Sequence, residues 1–220
     1  MTRRSFLAAA SALSAAPAPR TAMGIATTSY MTALRPTDTL DFLDRCHQLG
    51  ASGIQASLSS MDSSYLRRLR SRLDETDMYF EVMASLPKED AAGFDSTLEA
   101  AKAAGALCIR TACLGGRRYE TFNTLDEWKT FVAASKRSLR LALPIAEKHR
   151  VPLAVENHKD WTAEEFVSLL REISSEFLGV CLDTGNNLSL LDDPMAVVDA
   201  LAPYAVSTHL KDMGVSPDRD

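Results

Sequence analysis

Three stretches of this sequence each end an apolar run in side chains that can hold a cation or move a proton. The run Val151 to Asp160 (VPLAVENHKD) closes on Glu156, an amide and His158. Gly179 to Asn187 (GVCLDTGNN) closes on Asp183, and Val206 to Asp212 (VSTHLKD) on His209 and then Lys211. Two carboxylates and one imidazole form a hard-to-borderline ligand set that suits Mn²⁺, Mg²⁺, Co²⁺ or Zn²⁺ and leaves positions for water or substrate oxygens. Singly, each residue has an ordinary explanation, since a carboxylate after a strand often caps a helix and a lone histidine is often a satisfied core or surface group. Three of them after successive apolar runs are economically explained by one shared cation, because burying them unpaired is costly.

Such a convergence needs a scaffold that brings distant strand ends together. From Met23 onward, short β-rich runs alternate with longer segments of helical period. The strand candidates are Gly24–Ser29, Gly53–Leu58, Met78–Ala84, Ala106–Ala112, Pro152–Glu156, Leu178–Leu182 and Ala205–Leu210. The helix candidates are Thr37–Leu49, Ser63–Glu75, Asp90–Ala104, Leu125–Lys148, Thr162–Ile173 and Pro194–Leu201. Thr162 with Glu165 reads as a capping box, Pro194 as a helix entrance, and Gly50 and Gly105 as helix exits. Strict alternation implies a parallel sheet with right-handed crossovers, either open and doubly wound or closed. No GxGxxG follows the first strand, and polar residues collect at the C-terminal ends of many strands. A (β/α)₈ TIM barrel is therefore expected, with Glu156, Asp183 and His209 on one rim. Seven strands are counted, and the sequence stops soon after the seventh, so the barrel reads as one lacking its eighth strand and last helices over residues 21–220.

Other residues bear on a pocket. Arg110 ends the fourth strand, and Arg117 follows in a Gly-rich loop; either could grip a carboxylate or phosphate, or serve a structural or solvated role. Glu81, between Phe80 and Val82, must point into the barrel or pair, with Arg110 as a candidate partner. Trp161 either walls the pocket or staples the next helix, the staple being favoured. His47 and His149 sit late in helices, where they interact favourably with the C-terminus. Cys46, Cys108, Cys113 and Cys181 are too sparse for a disulfide scaffold and read as buried, free and inert.

The motifs Val-Glu156-Asn-His, Leu-Asp183-Thr-Gly and His209-Leu-Lys-Asp212 resemble those of the xylose-isomerase-like barrels, a group of sugar phosphate isomerases and epimerases that includes the family 2 AP endonucleases. The resemblance implies one divalent metal ion held by Glu156, Asp183 and His209, with Glu156 as the catalytic base. It also implies a further glutamate on the eighth strand, for which this sequence has no counterpart. Asn186 stands where many members carry histidine; it can hydrogen-bond a hydroxyl but cannot titrate. Arg110, His158, Asn186 and Lys211 are the expected substrate-binding residues. The implied reaction is sugar isomerisation or epimerisation, in which a proton is abstracted beside a carbonyl to give an enediolate. Two alternatives stay open, a metal-dependent lyase or hydrolase acting on keto-sugars or keto-glycosides, and a non-catalytic truncated barrel.

Composition sets outer bounds. Of 220 residues, 46% are hydrophobic and 24% charged, with net charge −5, which excludes collagen-like and disordered classes and offers no basic surface for nucleic acid. Residues 1–20 carry Arg3 and Arg4 before Phe6, Leu7 and an alanine-rich stretch, followed by Ala16-Pro17-Ala18. They read as a twin-arginine export signal, and the mature protein is expected in the periplasm, free of the membrane. The expected partner is a small-molecule sugar or sugar-derived substrate, with homo-oligomer formation left open.

Overall fold

The computed structural model describes residues 22–30 and 35–211. Residues 1–20, which read as an export signal, and Asp212 lie outside the described residues. Seven strands run in chain order: β1 (Gly24–Ala26), β2 (Gly53–Ala56), β3 (Tyr79–Met83), β4 (Ile109–Thr111), β5 (Leu153–Glu156), β6 (Leu178–Asp183) and β7 (Ala205–His209). Between them lie α1 (Thr39–Gln48), α2 (Ser63–Thr76), α3 (Ala92–Ala103), the single turn α4 (Arg118–Thr121), α5 (Leu125–His149), α6 (Ala163–Ile173) and α7 (Pro194–Leu201). Every strand pairs in parallel with its sequence neighbour, in the order β1 to β7. This is the TIM-barrel plan, curled but open where an eighth strand would pair.

Alternation of side chains across each strand divides the interior into two environments. One face carries Ile54, Phe80, Val82, Ile109, Leu153, Val155 and Val180, all fully buried against the helices. Their counterparts on the helices include Phe42, Leu69, Leu98, Leu139, Phe166 and Leu201. Each such side chain contributes roughly 1.5–3 kcal/mol, which makes this layer the stabilising core. The other face is polar and points inward, carrying Gln55, Glu81, Arg110, Glu156, Asp183, Ser207 and His209. Cys108, Ala154 and Cys181 form a small apolar cluster there, separate from the main core. Side chains of β7 bond directly to β3 and β2, Ser207 to Glu81 at 2.8 Å and His209 to Gln55 at 2.9 Å, so the sheet curves enough to face itself. A cavity of about 390 Å³ lies between the β1 and β7 edges.

Local signals behave as their chemistry requires. The Thr162 capping box is present, Pro194 opens α7, and Gly50 and Gly105 leave α1 and α3 at φ 79° and 78°. Thr124 and Glu127 form a second capping box, at the start of α5. β1 and β4 fall furthest short of their β-rich runs. Thr27–Tyr30 forms a 3₁₀ turn rather than continuing β1, and β4 begins only at Ile109 because Ala104, Gly105 and Ala106 donate back to close α3. His149 does more than meet a helix end, since its Nε2 lies 2.5 Å from Asp95 Oδ1 and ties α5 to α3 beside Lys148. Trp161 is buried against Trp128 and Phe131 of α5, with centroids 5.2 and 5.7 Å away, and fastens the loop before α6. All four cysteines are free, three of them buried and Cys113 partly so.

Gly53 starts β2 directly beneath the Tyr79 ring, and a Cβ there would meet ring carbons at 2.5 Å. Gly53→Ala is expected to destabilise the fold by about 1–3 kcal/mol in urea unfolding. An unchanged midpoint would show that Tyr79 moves freely and that this packing does not constrain the strand.

Candidate functional site

Glu156 is the last residue of β5 and is 2% exposed. Its Oε1 accepts from Asn186 Nδ2 at 2.9 Å, and its Oε2 contacts the Arg110 guanidinium. Asp183 ends β6 with no exposure; its Oδ1 accepts the backbone N–H groups of Gly185 and Asn186 at 2.9 and 2.8 Å. Asp183 Oδ2 faces Lys211 Nζ at 3.0 Å. Asn157 joins the two strand ends much as one more residue of sheet would. Its Oδ1 accepts Asp183 N–H at 2.7 Å, and its Nδ2 donates to Asp183 C=O at 2.9 Å.

His209 completes the group from β7, with Nδ1 3.6 Å from Glu156 Oε1 and 3.8 Å from Asp183 Oδ2. Its tautomer follows from a chain of partners. The Glu81 carboxylate only accepts, so the Gln55 amide must turn its Nε2 towards it, at 2.7 Å. Gln55 Oε1 is then left to accept His209 Nε2–H at 2.9 Å. Nδ1 is therefore the nitrogen that faces both carboxylates. A bare lone pair between two anions would be repelled, so that place calls for a proton or a metal cation. Burial pulls the His209 imidazole down, but the hydrogen bonds to Asp183 and Cys181 more than offset this and raise it to about 9. Burial likewise opposes ionisation of Asp183, yet His209, the Gly185 N–H and Lys211 bring its carboxyl down to about 2.

The donor set fits a divalent cation. His209 Nδ1 lies near both carboxylates, and ligand atoms of Glu156, Cys181 and His209 lie within 4.8 Å of one another with Asp183 beside that group; the buried atoms Glu156 Oε2 and Asp183 Oδ2 have ion-pair neighbours but no directed hydrogen bond. Of the residues that the sequence nominates for substrate binding, Asn186 and Lys211 join this cluster, with Lys211 Nζ donating to Asn186 Oδ1 at 2.7 Å. Arg110 also joins it, but as the partner of Glu156 rather than of Glu81, because β3 turns Glu81 towards Gln55 and Ser207 instead. Arg110 further lines a cavity of about 940 Å³ that opens between β3 and β4 beside Lys88 and Arg137. His158 points away to the loop after β4, where its Nδ1–H donates to Leu114 C=O at 3.1 Å; burial, Arg110 and Lys159 lower its pKa. Arg117 is exposed and bonds Glu120, as a solvated loop residue would.

Sequence reasoning missed Asn157, Gln55 and Asp160 as organisers of the site. A polar residue inside an otherwise apolar strand, such as Gln55, was the available signal. The amide of Asn157 stood in the strand-end run, but its role could not be read there because its partners lie on β6 and the loop after it; Asp160 likewise bonds the distant Leu114 N–H.

With this architecture and site in view, the chain belongs to the xylose isomerase-like TIM barrel family, whose model matches residues 43–220. Among individual proteins, it is 26% identical over 184 residues to the uncharacterized protein YihM of Escherichia coli, covering 80% of this chain and 52% of that protein. It is 32% identical over 74 residues to the 3-oxo-isoapionate decarboxylase of Pectobacterium atrosepticum, covering 34% of this chain and 27% of the decarboxylase. The chain thus spans about half the length of one curated relative and about a quarter of the other. In fold it is similar to the crystal structure of the 3-keto-D-glucoside 4-epimerase YcjR from E. coli, with TM-score 0.69 at 13% identity, covering 87% of this chain and 79% of that one. Among the described residues no helix is long and apolar enough to cross a membrane.

Behind the site, Asp160 is fully buried and accepts from Trp161 and Leu114 N–H groups, yet burial raises its carboxyl to about 6. Between the ordinary value of 3.8 and about 6, the folded chain holds the extra proton, so this residue's contribution to stability falls as pH rises through that window and is level above it. Asp160→Asn is expected to flatten the slope of unfolding free energy against pH between pH 4 and 6. An identical slope in the variant would show that Asp160 titrates normally.

Proposed function

We propose that this chain is a divalent-metal-dependent isomerase or epimerase of a sugar-like carbonyl compound. The observation that carries the reading is the convergence of Glu156, Asp183 and His209 Nδ1 within one buried cluster at the strand ends. When bound, the cation supplies polarisation of a carbonyl and its neighbouring hydroxyl. Glu156 is the base that takes the proton from the carbon beside the carbonyl, and the substrate becomes an enediolate. Asn186 holds Glu156 Oε1 in place and Arg110 compensates its charge, so the carboxylate is oriented before substrate arrives. Lys211 tethers Asp183 and offers an ammonium donor to a substrate oxygen, while the cavity beside Arg110 accommodates the rest of the sugar. Gln55 and Glu81 keep the His209 Nδ1 lone pair directed inward. His158 shapes the β4 loop through its bond to the Leu114 carbonyl.

A second reading, a lyase acting on a keto-sugar or keto-acid, is favoured by the 32% identity to a 3-oxo-isoapionate decarboxylase over 74 residues. Elimination and decarboxylation both pass through the same kind of enolate, so one site can serve either outcome. Export by residues 1–20 belongs to this proposal, because a periplasmic enzyme would meet unphosphorylated sugars rather than sugar phosphates.

The purified protein is expected to carry stoichiometric divalent metal, and Glu156→Gln or His209→Ala is expected to lose it. Incubated with ketoses or 3-keto-glycosides in D₂O, the protein should place deuterium beside the carbonyl, and Glu156→Gln should slow this by at least about 10²-fold. Bond cleavage with release of an aglycone or CO₂ would favour the lyase. Absence of both metal and exchange would overturn both readings.

A further inference from the structure

We propose that the cavity beside Arg110 is a subsite for an anionic oxygen group, a carboxylate or a phosphate, carried by the substrate at the end away from the reacting carbonyl. This rests on the reading that a sugar-like carbonyl compound is bound at Glu156, and it names a property of that compound, which is acidic. The cavity, of about 940 Å³, opens between the ends of β3 and β4, the loop that follows β3, and α5 around Ser135. Small-ligand sites run from roughly 300 to 1,000 Å³, so there is room for more than the carbons that react.

Two unpaired cations distinguish this cavity. On α5, Lys129 pairs with Asp126, Lys136 and Arg140 with Glu172, and Lys148 with Asp95. Arg137 makes no ion pair among the described residues and lines the cavity instead. Lys88, likewise without an ion pair, lines it from the loop after β3. It follows the buried Pro87, whose fixed φ limits the freedom of that loop. Glu89 is the carboxylate among the lining residues, and the charge of Arg110 is already met by Glu156, so Lys88 and Arg137 leave positive charge in excess. A guanidinium and an ammonium hold an anionic oxygen group through charge-assisted hydrogen bonds. A neutral ligand filling the same space would strip water from both cations and return no charge, which is costly. Met83, Leu86 and Phe131 supply apolar surface for the C–H face of a sugar. Arg110 belongs to both places, since its guanidinium contacts Glu156 and its side chain lines the cavity, so a ligand anchored here is led to the carboxylate that takes the proton.

The test is calorimetric binding, at low ionic strength, of three ketoses that differ only at C6: D-fructose, D-fructuronate and D-fructose 6-phosphate. At least one acidic ketose is expected to bind about 10- to 100-fold more tightly than D-fructose, with a preference that shrinks as salt is added. The tighter of the two shows whether carboxylate or phosphate is the favoured group. Combining Lys88→Ala with Arg137→Ala is expected to remove the preference; both side chains are exposed, so the fold does not depend on them. Removing two cations elsewhere, by Lys102→Ala with Lys129→Ala, is expected to keep it, which separates a subsite from net charge. Equal binding of all three ketoses, no binding of any, a preference that survives loss of Lys88 and Arg137, or one abolished by the control pair overturns the subsite. Deuterium exchange from D₂O into the same ketoses reads proton abstraction apart from binding. Exchange without an acid preference overturns the subsite alone, whereas an acid preference without exchange upholds the subsite and counts against the isomerase.

Discussion

Two carboxylates buried almost completely at the ends of β5 and β6 are the constraint to which the rest of the inner surface responds. An uncompensated buried charge costs several kcal/mol, so Glu156 and Asp183 must each be met by donors or cations. Arg110, Asn186, Lys211, His209 and two backbone N–H groups after β6 meet them. They come from the end of β4, the loop after β6 and the end of β7. The charges therefore bind the register of β4, β5, β6 and β7 together at the very rim where chemistry would occur.

The inner and outer faces of the sheet have separate tasks. The outer face and the helices form a continuous apolar layer that stabilises the curl of the sheet. The inner face is a hydrogen-bonded network in which Glu81, Gln55, Ser207 and His209 link β3, β2 and β7 across the interior. The network's direction is set by Glu81, whose acceptor-only carboxylate orients the Gln55 amide and, through it, the histidine ring. A group distant from the reacting atoms thus determines which nitrogen is presented to a ligand, as outer-layer partners do in metal sites generally.

The likeness to YcjR is one of fold, at 13% identity, and the curated relatives share a longer stretch or a higher identity but not both. TIM barrels place variable loops above their strand ends, so the surroundings of the cluster bear on reaction type. Here the distinctive features are Asn186 and Lys211 beside Asp183, Arg110 on Glu156, and a cavity flanked by Lys88 and Arg137. They set hydrogen-bond donors and positively charged side chains around the cluster and the cavity.

Periodicity, caps and glycine exits in the sequence determined the order of elements, the parallel sheet and the strand ends that carry Glu156, Asp183 and His209. These are local properties, written in side-chain alternation and in residues such as Thr162, Pro194, Gly50 and Gly105. Tertiary structure alone decided which side chains pair across strands. Arg110 goes to Glu156 and not to Glu81, His158 turns to the Leu114 loop, Asn157 splices β5 to β6, and the Cys181 sulfur comes within 4.8 Å of the His209 ring. Pairing of this kind depends on strand curvature and relative depth within the sheet, quantities that arise only when the whole sheet curls round to face itself.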